Sequence, residues 1–138
     1  MGDRKLLVEV VAADRVLYAE EAEMLVVPGY LGELGILPLH IPIVTLLKRG
    51  ELRIKHQNHI DYFFIADGFL EVKEDKAVVL VSEAVPAHEI EPEAELKAQE
   101  ELKRMIAEAK EKGEDFSSLL EELEKSIARL KLARKLSK

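Results

Sequence analysis

Apolar and polar residues follow two different rhythms along the chain, and the change falls near Pro86. Upstream of it the apolar residues come in short runs. Leu7-Val8-Glu9-Val10-Val11 is rich in β-branched side chains, which suit a pleated strand. Met24-Leu25-Val26-Val27 stops at Pro28-Gly29, a turn signal. Glu51-Leu52-Arg53-Ile54-Lys55 alternates polar and apolar, so one face is buried and the other wet. Tyr62-Phe63-Phe64-Ile65 is a further run of strand length, and Gly68-Phe69-Leu70-Glu71-Val72 and Val78-Val79-Leu80-Val81 flank a polar Lys73–Lys76 turn, predicting a hairpin. Many short strands with close turns and no βαβ alternation predict an antiparallel sandwich or barrel.

Downstream the rhythm is helical. Pro92 suits a first helical position after a weak Glu91 cap. Ala98, Leu102, Met105 and Ala109 then recur at spacings of 4, 3 and 4. Gly113 is placed to end that helix and Asp115 to cap the next. Phe116, Leu120, Leu123, Ile127 and Leu130 follow at 4, 3, 4 and 3. So short a link predicts an antiparallel pair of helices, each on the order of 30 Å long. The fold class is therefore α+β: a β-sandwich over 1–88 followed by a two-helix hairpin over 89–138. Two narrow apolar stripes make a marginal hairpin, because helices of this length depend on packing. The arm can dock or open.

Composition narrows the chemistry. Apolar residues are 48% of the 138, enough for a core built mostly from aliphatic side chains, since Trp is absent. Cysteine is also absent, which excludes disulfides, thiolate nucleophiles and Cys-based metal sites. No stretch approaches the roughly 20 apolar residues of a membrane span. The amino-terminal Met1–Lys5 segment leads into an apolar run too short and interrupted for a signal peptide. A net charge of −7 argues against a nucleic-acid binder. All of that charge lies in positions 1–91, because residues from 92 onward carry 11 acids and 11 bases. The bases gather at the end: Lys125, Arg129, Lys131, Arg134, Lys135 and Lys138 occur with no acid among them. That run is longer than compensation of a helix dipole needs and predicts an acidic partner. His56 and His59 could begin a metal site, but no third ligand of clear spacing follows, and no metal or cofactor is expected. No nucleophile–base pair, phosphate loop or zinc motif marks an enzyme.

The segment from Val27 to Pro42 is unlike a generic sandwich: glycines stand at 29, 32 and 35, followed by Pro38, His40 and Pro42. It reads as a long turn with several positions open to positive φ, Glu33 at its tip, and two prolines that keep the following stretch out of a central ladder. This run resembles the signature of the epsilon subunit of F-type ATP synthases, G-x-x-G-x-x-G-I-L-P-x-H-x-P. Two further elements are similar to that family in order and spacing. They are Phe64–Val72, with Asp67 where Gly is usual, and Val79–Ala84 leading to His88-Glu89-Ile90-Glu91.

The resemblance implies a non-catalytic rotor subunit with a sandwich of about ten strands. It would bind the gamma subunit and the c-ring on the cytoplasmic face of the membrane, with no direct membrane insertion. The helical arm would reach the catalytic beta subunits and restrain ATP hydrolysis. It further implies c-ring contact through Glu33, Leu31 and Leu34, a gamma-subunit contact at His40 and Pro42, and an inhibitory contact through Arg129, Arg134 and Lys135. Some members bind ATP at an I/L-D-x-x-R-A motif. Here Glu91 stands for the aspartate, Ala94 for the arginine, and Glu95 adds a negative charge, so nucleotide binding is not expected. Two other readings compete: an ATP-sensing module of the same fold, and an adaptor that clamps partners with its hairpin. The second leaves the glycine–proline element unexplained.

Overall fold

The computed structural model describes residues 4–137, and Lys138 of the basic run lies outside them. Among the described residues, eight strands precede a short 3-10 turn (Ala87–Glu89) and two α-helices: β1 (Leu6–Ala12), β2 (Arg15–Ala22), β3 (Met24–Gly29), β4 (Gly32–Ile36), β5 (Ile43–Leu47), β6 (Gly50–Lys55), β7 (Ile60–Lys73), β8 (Lys76–Pro86), α1 (Pro92–Lys112) and α2 (Ser117–Leu136). The chain divides after Pro86 into two compact units, one of strands and one of helices.

Eight strands do the work of ten because β7 and β8 each serve both layers. The first half of β7 pairs with β6 and its second half with β5. β8 follows β7 throughout, and its first half also pairs, in parallel, with β1. One layer is thus β4-β3-β6 with the start of β7 and the end of β8; the other is β2-β1 with the start of β8, the end of β7, and β5. The shared strands bend where the β7–β8 register skips Asp67, whose φ is 41°. Ser82 Oγ donates to Ala66 O across this bend at 2.9 Å. Gly68 lets the two strands meet: a Cβ there would lie 2.0 Å from Leu80 O.

Alternation then fills the space between layers. Leu6, Val8 and Val10 of β1, Leu52 and Ile54 of β6, and Leu70 and Val72 of β7 are at most 1% exposed and share one core with Phe63, Ile65 and Val79. Tyr18 and Phe63 meet edge to face, with centroids 5.4 Å apart.

In the helical unit, Pro92 opens α1 and Glu91 makes no side-chain cap. Gly113 ends α1 in the left-handed conformation, its N–H turned back to the last carbonyls. Asp115 accepts the Ser117 N–H at 2.9 Å, so it caps α2 from just outside the first turn. Lys110 lies over the Phe116 ring, 5.2 Å from its centroid, beside the link.

Candidate interaction surfaces

The glycine-rich segment is a tight hairpin, not a long turn. Gly29 pairs with Gly32, and the tip is Tyr30-Leu31. Only Gly32 of its glycines has positive φ, at 128°. Leu31 is fully exposed and Tyr30 is 63% exposed. Glu33 lies in β4 opposite Pro28 rather than at the tip. There it takes a bidentate pair from Arg53 at 2.8 and 3.1 Å, and Arg53 also holds Glu51. The two carboxylates, Glu33 foremost, keep the guanidinium above its ordinary range. Leu34 packs against the core. Of the three residues expected to face outward here, Leu31 does so unencumbered, Glu33 does so from a fixed ion pair, and Leu34 turns inward.

A larger apolar surface lies on the outer face of the other layer. Leu46 of β5 pairs directly with Phe69 of β7, and Phe69 with Leu80 of β8. These three are 52%, 49% and 44% exposed, in a row across three strands. Val44 flanks the row, and Leu37, Leu39 and Ile41 stand exposed on the segment that leads into β5. Outward leucine and phenylalanine at the phase of a strand that normally carries polar residues mark a candidate interaction face. His40 and Pro42 belong to this edge. His40 is half-buried and its Nδ1–H donates to Ile41 O at 2.7 Å, while Pro42 borders a shallow dip of about 250 Å³ beside Val44 and Glu71. Leu39 is fixed in the left-handed region, its N–H bound by Asp75 Oδ1 at 2.6 Å.

The seam between α1 and α2 keeps Leu102, Ala109, Leu123 and Leu130 of the stripes expected from the sequence and replaces Ala98, Met105, Leu120 and Ile127 by residues one position away. Its inner positions are Gln99, Leu102, Ile106 and Ala109 on α1, and Leu119, Leu123, Ser126 and Leu130 on α2. Ala98, Met105, Leu120 and Ile127 face out. A polar cluster occupies one end of the seam. Gln99 Nε2 donates to Ser126 Oγ at 3.2 Å, and Ser126 donates to Glu95 at 2.8 Å. Arg129 Nε reaches both Glu95 oxygens at 3.2 and 3.1 Å. The side chains of Arg129 and Glu95 are only 15% and 16% exposed, so Arg129 is enclosed rather than presented. Arg134 and Lys135 are exposed. With Lys131 they rim a groove of about 610 Å³ floored by Leu96, Ile127 and Leu130.

Residues 5–87 match the family model of the ATP synthase delta/epsilon chain β-sandwich domain. An ATP synthase epsilon chain of Acidithiobacillus ferridurans is 40% identical over 133 residues, covering 94% of this chain and 91% of that relative. This chain belongs to the ATP synthase epsilon family. An epsilon chain of Halorhodospira halophila is 36% identical, with 96% and 95% covered. A chain in the Euglena gracilis mitochondrial ATP synthase (OSCP, F1 and c-ring) has the same fold, with a TM-score of 0.67 over 96% of this chain and 79% of that one, at 24% identity.

For an epsilon chain, the motif Gly29–Pro42 locates the hairpin tip and the edge beside the apolar row, while Leu46, Phe69 and Leu80 themselves went unmarked. Their signal was present: Ile43–Leu47 is apolar at nearly every position, so it has no wet face. No helix among the described residues is long and apolar enough to cross a membrane. The structure also supplies the donor that His56 and His59 lack in sequence spacing, Asp61.

Proposed function

We propose that this chain is the non-catalytic rotor subunit of an F-type ATP synthase, seated peripherally on the cytoplasmic face of the membrane complex. The outer apolar row would bind the gamma subunit, and the Tyr30-Leu31 tip would meet the c-ring, with Glu33 alongside it. The row Leu46–Phe69–Leu80 carries the reading. It is a contiguous apolar surface on an otherwise acidic unit, and His40 and Pro42 adjoin it. In a reconstitution with the cognate gamma subunit, Leu46→Glu with Phe69→Glu is expected to abolish binding while the free chain stays folded, because both side chains point outward. Binding at unchanged affinity would remove the basis for this reading.

The helical unit is the regulatory arm. Arg134 and Lys135, both exposed, would meet an acidic surface on the catalytic beta subunits, and the enclosed Arg129 would join them only when the hairpin opens. The groove rimmed by Lys131, Arg134 and Lys135 is the one observation that favours the ATP-sensing alternative. Against it stand Ala94, Glu91 and a Glu95 carboxylate already bound to Arg129.

A further inference from the structure

The turn between β6 and β7 lies at the end of β3 opposite the Tyr30-Leu31 tip, since Met24 pairs with Lys55 at one end and Gly29 with Gly32 at the other. The His56 N–H donates to His59 O at 2.8 Å and closes the turn around Gln57-Asn58. The two imidazoles stack, centroids 4.4 Å apart and planes within 13°. Asp61 stands beside both: its Oδ2 is 3.0 Å from His56 Nε2 and its Oδ1 is 3.6 Å from His59 Nε2. Tyr18 of β2 donates to Asp61 Oδ2 at 2.7 Å, and its oxygen lies 2.7 Å from His56 Nε2. Burial, and then the hydrogen bond and charge of Asp61, raise the Tyr18 phenol above its ordinary range, so it stays a donor.

We propose that His56, His59 and Asp61 form a binding site for a zinc ion. Two imidazoles and one carboxylate are the donor set of three-ligand zinc sites, which leave a fourth position to water. Zinc takes nitrogen and oxygen at about 2.0–2.2 Å, which puts tetrahedral neighbours roughly 3.3 Å apart. The separations of 3.0 and 3.6 Å bracket that value, and one ligand atom from each residue lies within 4.8 Å of the others. The turn hydrogen bond holds the two histidines side by side, and the exposed His59 ring must leave the stack to reach the ion, because parallel rings cannot both aim an in-plane lone pair at one metal. Tyr18 holds the carboxylate from the second layer, as outer partners of metal ligands do. Without metal, Tyr18, His56 and Asp61 already satisfy one another, and His59 contributes little to that group from its exposed position.

The test is calorimetric titration of zinc chloride into the chelator-stripped full chain. One site of micromolar affinity is expected, with the imidazole resonances of His56 and His59 shifting in NMR spectra. His59→Ala should weaken binding by at least about tenfold, the loss that removing even an outer-shell partner brings. Circular dichroism should show its fold intact, since the side chain is 57% exposed. His88→Ala, at an exposed histidine far along the sequence, should bind as the parent does. No binding by the parent chain, equal binding by His59→Ala, or a loss in His88→Ala would each overturn the assignment.

Discussion

Replacing Glu95 by alanine tests whether the helical pair is held shut by its own polar cluster. Glu95 accepts from Ser126 at 2.8 Å and from Arg129 at 3.1 and 3.2 Å, with both charged side chains about five-sixths enclosed. Hydrogen bonds to charged groups are worth about 1.5–3 kcal/mol, and exposed ion pairs at most about 1 kcal/mol. This pair lies between those limits. Its loss leaves Ser126 bonded to Gln99 and to the Glu95 carbonyl, so the hydroxyl is not orphaned. Arg129 can turn toward water and recover part of its solvation. The expected cost to the closed hairpin is about 2 kcal/mol, roughly a thirtyfold rise in its opening constant. Amide hydrogen exchange reads this directly. Amides of α1 and α2 between Gln99 and Leu130 should exchange about thirtyfold faster, while those of Leu52 and Val79 in the sandwich stay unchanged. In the assembled complex the variant should inhibit ATP hydrolysis more strongly, because Arg129 is released. Unchanged exchange in the helices would show that the cluster is no latch. Equal acceleration in the sandwich would show that the two units do not open independently.

Three further outcomes follow from the same contacts. Gly68→Ala should destabilise the sandwich by about 1–3 kcal/mol or prevent its folding, because the new Cβ meets Leu80 O; chemical denaturation measures it. The Leu39 N–H, and then Arg4, hold the Asp75 carboxyl below its ordinary value of 3.8, and the Ser117 N–H does the same for Asp115. A depressed value in the folded state means stability that is present above the ordinary value and lost as pH falls through the folded one. Urea midpoints should therefore drop as pH falls below about 4, and less steeply in Asp75→Asn. Titration of ATP into the isolated chain should show no micromolar binding; a micromolar site would favour the nucleotide-sensing alternative.

Much of the fold was legible because strands with one buried face alternate. Glu51–Lys55 shows a single clear rhythm, and it forms β6 with Leu52 and Ile54 inward. β2 was not legible: Arg15–Ala22 is an edge strand with few buried positions, so its apolar pattern is weak. β4 was read as turn because its glycines suggested freedom of φ, whereas only Gly32 uses it. The helical pair was legible as a hairpin, and Leu102, Ala109, Leu123 and Leu130 of its expected stripes do lie in the seam. Stripes drawn through apolar residues alone selected Ala98 and Met105, and polar Gln99 and Ser126 hold the inner positions. Arg129 was placed on the inhibitory surface with Arg134 and Lys135 because a run of cations gives no sign of which one a carboxylate 34 residues earlier encloses. The His56, His59 and Asp61 group escaped for a related reason: Asp61 comes two residues after His59, and the turn closed by His56 and His59 brings its carboxylate back to His56.

Hydroxyl-radical footprinting of the chain, free and bound to the gamma subunit, tests the central claim most directly. Leu46, Phe69 and Leu80 should be oxidised in the free chain and protected in the complex. Val16, 56% exposed on β2, should react equally in both. Undiminished oxidation of Phe69 and Leu80 in the complex, with protection falling elsewhere, would contradict the assignment of this face to the rotor interface.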